Sequence, residues 1–447
     1  MAVQWNNRAI FRLLWPLIIE QVLALTMGAA DTVMVSTVGE HAVSGVNIVD
    51  NINNLLIIAF TALGTGGAVV ASQYIGRKDR RNSSLASKQL VYIITVISLV
   101  ITLGVFPFRR GLIGLIYGRI EGDVMASAGL YLGITALSYP FLGIYNGCSA
   151  LFRAAGNSRV PMLIALLVNV MNIGGNAFFI YVLHIGVAGA AISTLLSRVA
   201  AGAVVLFLLI PDRESPISLS GIWKISFARN MIHNILNVGI PNALENSMFQ
   251  MGRLLTQRIF TVFGTAAMAG NAIASVINSF SFMPGNAFGM ALLTVVGQCI
   301  GAGNYKEAER QTFKIMRAAW ISIFTLSLGI LVFLEPLVSL FNLSAQAHGM
   351  AKSYLRVHCV SMMLFWAFSF ALPNALRAAG DNRFVMVVAS LSMWTIRVSC
   401  AYILTFVFGM GPVGVWLGMG LDFVCRGGFY LHRWRHGRWK EKRVITG

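Results

Sequence analysis

The chain has 447 residues, 57% of them hydrophobic and 11% charged, with a formal net charge of +18 and a mean hydropathy of +0.73. A soluble domain carries about 25% charged residues, so this composition excludes an ordinary soluble globule and makes lipid the solvent for much of the surface. The positive charge does not mark a nucleic-acid binder, because the basic residues fall in short clusters between apolar runs rather than along one stripe.

A membrane span needs about 20 mainly apolar residues. Taken in chain order, the candidates are 10–36, 43–70, 88–108, 126–150, 160–183, 187–210, 234–262, 266–298, 315–334, 349–375, 384–408 and 411–432. The expected fold is therefore an all-α integral membrane protein, with twelve transmembrane helices in two pseudo-symmetric six-helix bundles. The first apolar segment runs about 25 residues and contains acids, unlike the short apolar core of a cleavable signal peptide. Basic residues cluster after the even-numbered spans: "GRKDRRNSSLASK" carries five, "YKEAERQTFKIMR" four and the C-terminal "HRWRHGRWKEKR" six. Both termini are then expected in the cytoplasm, with Trp434 and Trp439 at or just beyond the inner interface, in a cell inner membrane crossed many times.

The second half repeats the first. "LFRAAGNSRVPM" from Leu151 returns as "ALRAAGDNRFVM" from Ala375, and the pair Pro16 and Glu20 returns as Pro241 and Glu245. Gly39, Gly45, Asn53, Gly64, Gln73, Gly76 and Gly189 recur at Gly264, Gly270, Asn278, Gly289, Gln298, Gly301 and Gly414. Six spans bring the chain back to its starting side, so the halves are parallel repeats. The expected domains are an N-terminal lobe (1–210), a polar basic cytoplasmic linker (211–231) and a C-terminal lobe (232–447) ending in a basic tail. A parallel duplication predicts a cleft between similar bundles and alternating access, hence a transporter; a receptor or scaffold would lack such a cavity. Gly156 and Gly380 are expected to take the turn that ends a helix. Arg153 and Arg377 are expected to favour that helix terminus and, with Arg159 and Arg383, to hold the loop inside.

Taken together, the P-x-x-x-E of each first span, "DTVMVSTVGEHAVSGV", "GQCIGAGN", the repeated R-A-A-G segment and the glycine-rich start of span six resemble the multidrug and toxin extrusion (MATE) family. The resemblance covers nearly the whole chain. It implies a two-lobed antiporter driven by H+ or Na+ that exports small organic molecules, often cationic. A lipid-linked-precursor flippase of the same superfamily is the alternative. The expected partners are small organic substrates and the bilayer, with no nucleic acid, and the expected state is monomeric. No cofactor is expected beyond the coupling ion.

An ionisable group at the bilayer centre costs about 2.5–3.5 kcal/mol on insertion scales, so each needs a partner or a task. The N-half carries Glu20, Asp31 and Asp50 against Arg198, whereas the C-half carries Glu245 and Asp422 against Arg253, Arg258, Arg397 and Arg426. Charge complementarity places the coupling cation in the N-half. Asp31 is the leading candidate, since its repeat position holds Thr256. Asn172 and Asn176 of span five are four apart on one helical face, and with Asp31 they make a hard-oxygen set suited to Na+ or to a hydrogen-bonded proton carrier. The resemblance implies an acid where Asn176 stands, and its absence favours H+. Glu20 and Asp50 join the cation-coupling candidates. Glu245, Arg253 and Arg397 are candidates for a substrate site or switch, with Arg397 placed to neutralise Glu245 or Asp422. Phe280, Phe282 and Met283 flank an expected bend at Pro284–Gly285 and form a candidate substrate wall. Asp422 and Arg426, four apart, form an expected structural ion pair. Arg253 and Arg258 raise the case for an anionic or zwitterionic substrate.

There is no P-loop motif, no nucleophile–base set, and no histidine or cysteine spacing for a metal, so neither an enzyme nor a metal site is expected.

Overall fold

The computed structural model describes residues 5–211, 215–442 and 444–445. The expected linker (211–231) and basic tail lie partly outside these. The described residues form helices and connecting turns, with no strand among them. The helices are α1 (Asn7–Ser36), α2 (Glu40–Gly76), α3 (Arg80–Tyr117), α4 (Gly122–Ala136), α5 (Tyr139–Ala154), α6 (Arg159–Val182) and α7 (Gly186–Leu209). They continue as α8 (Arg229–Val262), α9 (Gly264–Gly301), α10 (Tyr305–Val332), α11 (Leu334–Ser339), α12 (Ala345–Ala378), α13 (Asn382–Val407) and α14 (Val413–Arg435).

Among the described residues, nine helices are long and apolar enough to cross a membrane, and the bent pair α4/α5 makes ten. The protein is thus a multi-pass membrane protein. Exposed side chains such as Leu103, Phe108 and Leu115 fit a lipid-facing surface. The expected fourth span is bent by 54° between α4 and α5. Pro140 lies in the first turn of α5, and a proline has no N–H to give the carbonyl four residues back. Thr102 Oγ1 donates to that carbonyl, Ala136 O, at 3.2 Å. Around the expected bend at Pro284–Gly285, α9 continues through both residues without a break.

The chain divides into two compact units, Asn6–Ile240 and Pro241–Gly447, the latter joined by the segment up to Trp5. The boundary falls inside α8 rather than in the polar stretch before it. Residues 215–228 are held to α3: Tyr92 Oη donates to Ile222 O at 2.5 Å, Gln89 Nε2 to Ser226 O at 2.7 Å and Ser84 Oγ to Ser218 O at 2.6 Å.

The repeat is visible in local structure. Asp79 and Asn304 cap α3 and α10, each accepting from the backbone N–H three residues on at 3.0 Å. Gly45 and Gly270 sit where a second helix crosses: an added Cβ would lie 2.9 Å from Ala128 N in one half and 2.9 Å from Ala347 O in the other. Both π-helical stretches that close α6 and α13, Ala177–Val182 and Ile403–Val407, fall at matching positions. The glycine of each R-A-A-G segment has positive φ (Gly156 at 84°, Gly380 at 93°) and ends the helix. The next N–H reaches back five residues, Asn157 N to Phe152 O at 2.9 Å and Asp381 N to Leu376 O at 3.0 Å, which is the Schellman closure.

Trp434 and Trp439 are buried. The chain turns back at Gly437, and the two indoles stack at 4.2 Å with 5° between planes. Arg433 Nε donates to Asp381 Oδ2 at 2.7 Å.

Candidate functional site

In the N-terminal unit, Asn176 Nδ2 donates to Asp31 Oδ1 at 2.5 Å, joining α6 to α1. One turn earlier, Asn172 Nδ2 donates to Thr194 Oγ1 at 3.3 Å, and Ser193 Oγ donates to Asn172 O at 2.8 Å. Gly175 permits this approach of α7, since a Cβ there would lie 3.1 Å from Ser193 Cβ. Asn172 and Asn176 are fully buried, yet their side-chain carbonyl oxygens have no donor among the described residues. A buried amide oxygen normally has a partner, so these two are available to a bound cation or to the proton of a neutral carboxyl. The π-helical stretch starts at Ala177, directly after Asn176, a distortion that frequently marks functional positions.

Arg198, one turn after Thr194, donates through NH1 to Ser138 Oγ at 3.0 Å and acts electrostatically on both Asp31 and Asp50. Asp50 is exposed on α2, whereas Asn53 on the same helix is buried and accepts from Tyr139 Oη at 3.0 Å. Glu20 stands apart from this set. Eleven residues before Asp31, it is roughly 16 Å away along the helix, and Arg153 NH1 donates to its Oε1 at 2.8 Å.

The C-terminal unit repeats that last pair. Arg377 NH2 lies 2.7 Å from both carboxylate oxygens of Glu245, while its NH1 donates to Asn374 Oδ1 at 2.9 Å. The arginines of the two R-A-A-G segments thus tie the end of the fourth span to the glutamates of the P-x-x-x-E segments, in addition to lying in the last helical turn. Sequence reasoning assigned both ends of each pair separately and missed the link, although their common recurrence was a signal for it.

Arg397 does not reach Glu245, which is already paired. Its charged neighbours are Asp422, Arg426 and Arg253, and its NH2 contacts Met419 Sδ at 3.1 Å. Asp422 and Arg426 approach to 3.4 Å, and Ser392 Oγ donates to Asp422 Oδ1 at 2.5 Å. Both Arg397 and Arg426 lie over the ring of Phe249, at 5.1 and 5.9 Å. Arg253 and Arg258 are exposed on α8. Phe282 packs edge-on to Phe370 at 5.5 Å and beside His358 at 6.0 Å, while Phe280 is exposed and Met283 half-buried. His358, fully buried beside Trp416, was passed over in the sequence because one histidine in an apolar helix carries no spacing signal. Thr256, the repeat counterpart of Asp31, donates only to its own helix, at Arg253 O, 2.9 Å away. No group of three or more His, Cys, Asp or Glu side chains suited to a metal occurs among the described residues.

A multi-pass helical protein built of two like halves, each with ionisable groups inside, has the construction of a secondary transporter. The MatE family model matches residues 16–178 and again 241–403, so the chain belongs to the MatE family and is a transporter rather than an enzyme. The chain is 29% identical to the "Probable multidrug resistance protein NorM" of Thermotoga maritima, with 98% of this chain and 94% of that protein aligned. It is 26% identical to the uncharacterized transporter YisQ of Bacillus subtilis, over 97% of this chain and 95% of that one. Its fold is that of a multidrug resistance MATE family transporter solved in an outward-facing conformation, at TM-score 0.90 and 22% identity, covering 97% of this chain and 96% of that one.

Proposed function

We propose that this protein is a cation-coupled antiporter, with H+ favoured over Na+, that exports small organic compounds across the inner membrane by alternating access. The naming of its relatives as multidrug resistance proteins supports the cargo class. In this reading the chain crosses the membrane twelve times as a monomer, with both termini in the cytoplasm. The bent pair α4/α5 forms one span; α8 and α14 supply two more, their polarity owed to Glu245, Arg253 and Arg258 in one and to Asp422 and Arg426 in the other.

The observation that carries the proposal is the Asp31–Asn176 hydrogen bond beside two unclaimed amide oxygens. An ionised Asp31 accepts from the Asn176 amide. A neutral Asp31 has a proton to donate, and the orphan oxygens of Asn172 and Asn176 are the acceptors of this set. The same oxygens suit Na+, but a single carboxylate supplies little charge for that ion, which favours the proton. Glu20 is held by Arg153 and is assigned a structural rather than a coupling role. Asp50 is assigned to tuning, through Arg198.

The test is export of fluorescent organic compounds, both cationic and anionic, from proteoliposomes under an imposed pH gradient or an imposed Na+ gradient. The native protein is expected to respond to the pH gradient. Asp31→Asn is expected to lose at least about tenfold of the driven rate, some 1.4 kcal/mol of coupling. Driven export by Asp31→Asn at the native rate would rule the assignment out.

A further inference from the structure

The Arg397–Asp422–Arg426 cluster of the C-terminal unit holds more buried positive charge than it balances. Asp422 is 0% exposed, Arg426 3% and Arg397 8%, so two buried guanidiniums meet one buried carboxylate, leaving a surplus of one positive charge. The hydrogen bonding is also incomplete. Asp422 Oδ1 is taken by Ser392, and its Oδ2 stands at the 3.4 Å separation from Arg426. Arg397 NH1 and the Nε and NH2 of Arg426 have no acceptor among the described residues, and Arg397 NH2 has only a thioether sulfur. Arginine cannot shed its proton to relieve this, and an uncompensated buried charge is strongly unfavourable. His358, fully buried, has both ring nitrogens without a partner, so in either tautomer one N–H donor is unused.

Aromatic faces supply part of the compensation. Arg426 lies 4.5 Å from the centre of Phe370, and Phe249 lies beneath both arginines. These rings offer no lone pairs in the plane of the guanidiniums, where the N–H groups point. Phe249 itself is half-buried, and Arg253, one turn further along α8, is exposed. A charged rim, an aromatic side chain and two unsaturated guanidiniums therefore lie in sequence from the surface of the unit inward.

We propose that Arg397 and Arg426 receive the carboxylate of an amphipathic aromatic substrate, an organic anion or zwitterion, with the Phe249 and Phe370 rings against its apolar body. This names the substrate class for the transporter reading above and rests on it. The planar two-oxygen anion matches the guanidinium fork, and its single negative charge cancels the single buried surplus. A phosphate monoester brings about 1.5 to 2 negative charges at neutral pH and would over-compensate the buried pair.

The experiment is equilibrium binding to the purified full-length protein in lipid nanodiscs, with 2-naphthoate, uncharged 2-naphthamide and 2-naphthyl phosphate as probes. Naphthoate is expected to bind at least about tenfold more tightly than naphthamide to the unaltered protein. Arg397→Gln is expected to remove that preference and Arg397→Lys to restore part of it. Arg310→Gln, an exposed arginine of α10 in the same unit, is expected to keep it. Equal affinity for naphthoate and naphthamide overturns the proposal, as does a preference for the phosphate or an unchanged preference in Arg397→Gln. The comparison of probes on unaltered protein stands even if the variants do not fold. Because no ion gradient is applied, a failure of the coupling assignment leaves this result intact. Conversely, gradient-driven export without any naphthoate preference would sink only the anion site.

Discussion

On α1, Asp31 is held by Asn176, and Asn172 stands one turn before that amide. At the repeat positions on α8 and α13 stand Thr256, bonded to its own helix, and Arg397, buried over an aromatic ring. Elsewhere the halves agree closely: the caps of α3 and α10, the helix crossings at Gly45 and Gly270, the Schellman closures and the Glu–Arg pairs all recur. Duplication thus preserved what the backbone needs and let the membrane-depth charge diverge. A shared feature is the mark of architecture here, and an unshared ionisable residue is the mark of a task.

That comparison can be broken at the shared features. The largest stability effect is expected from Glu245→Gln, which leaves Arg377 without its carboxylate; losing one partner of a buried pair costs about 3–5 kcal/mol. Glu20→Gln should cost less, because only Oε1 of Glu20 is hydrogen-bonded by Arg153, its Oε2 having no hydrogen-bond partner among the described residues, whereas Arg377 engages both oxygens of Glu245. Thermal melts in detergent measure both, and an equal or reversed order would show that the two pairs do not differ as their geometry implies. Next come Gly45→Ala and Gly270→Ala. Each sets a methyl group against the backbone of a crossing helix, at an expected cost of about 1–3 kcal/mol. Similar losses in the two halves would support a common architecture, and a loss confined to one half would contradict it.

The smallest effect belongs to an unshared, exposed group. Lys352 Nζ donates to Glu335 Oε2 at 2.7 Å, and this hydrogen bond holds the carboxyl below its ordinary value of 4.5. A depressed carboxyl contributes above its unfolded value, and the contribution is lost as pH falls through the folded one. Glu335→Gln should therefore leave the neutral-pH melt nearly unchanged and remove only a small part of the acid destabilisation expected below pH 4.5.

Much of the architecture was legible because membrane helices follow from apolar length and the repeat follows from regular offsets. The break at Pro140 was not, since a proline in an apolar run kinks or merely bends according to whether a neighbour such as Thr102 can take the freed carbonyl. The burial of Trp434 and Trp439 was likewise hidden, because it depends on the chain reversing at Gly437. At the candidate site, Asp31, Asn172, Asn176, Asp422, Arg426 and Arg397 could each be singled out, since ionisable and amide groups inside spans are few. Their pairings could not. Residues more than 100 positions apart meet only through helix packing, which is why Glu20 was grouped with Asp31 when its partner is Arg153. Thr194, Ser193 and His358 carry no signal of their own in an apolar sequence.

The central claim is that the coupling ion belongs to the N-terminal half. The most direct measurement follows proton movement with a pH-sensitive dye inside proteoliposomes during substrate exchange, comparing Asp31→Asn with Thr256→Val, the substitutions at equivalent positions of the two halves. The account predicts that Asp31→Asn abolishes substrate-dependent proton movement and that Thr256→Val preserves it. Native proton movement in Asp31→Asn, or its loss in Thr256→Val alone, would contradict the account.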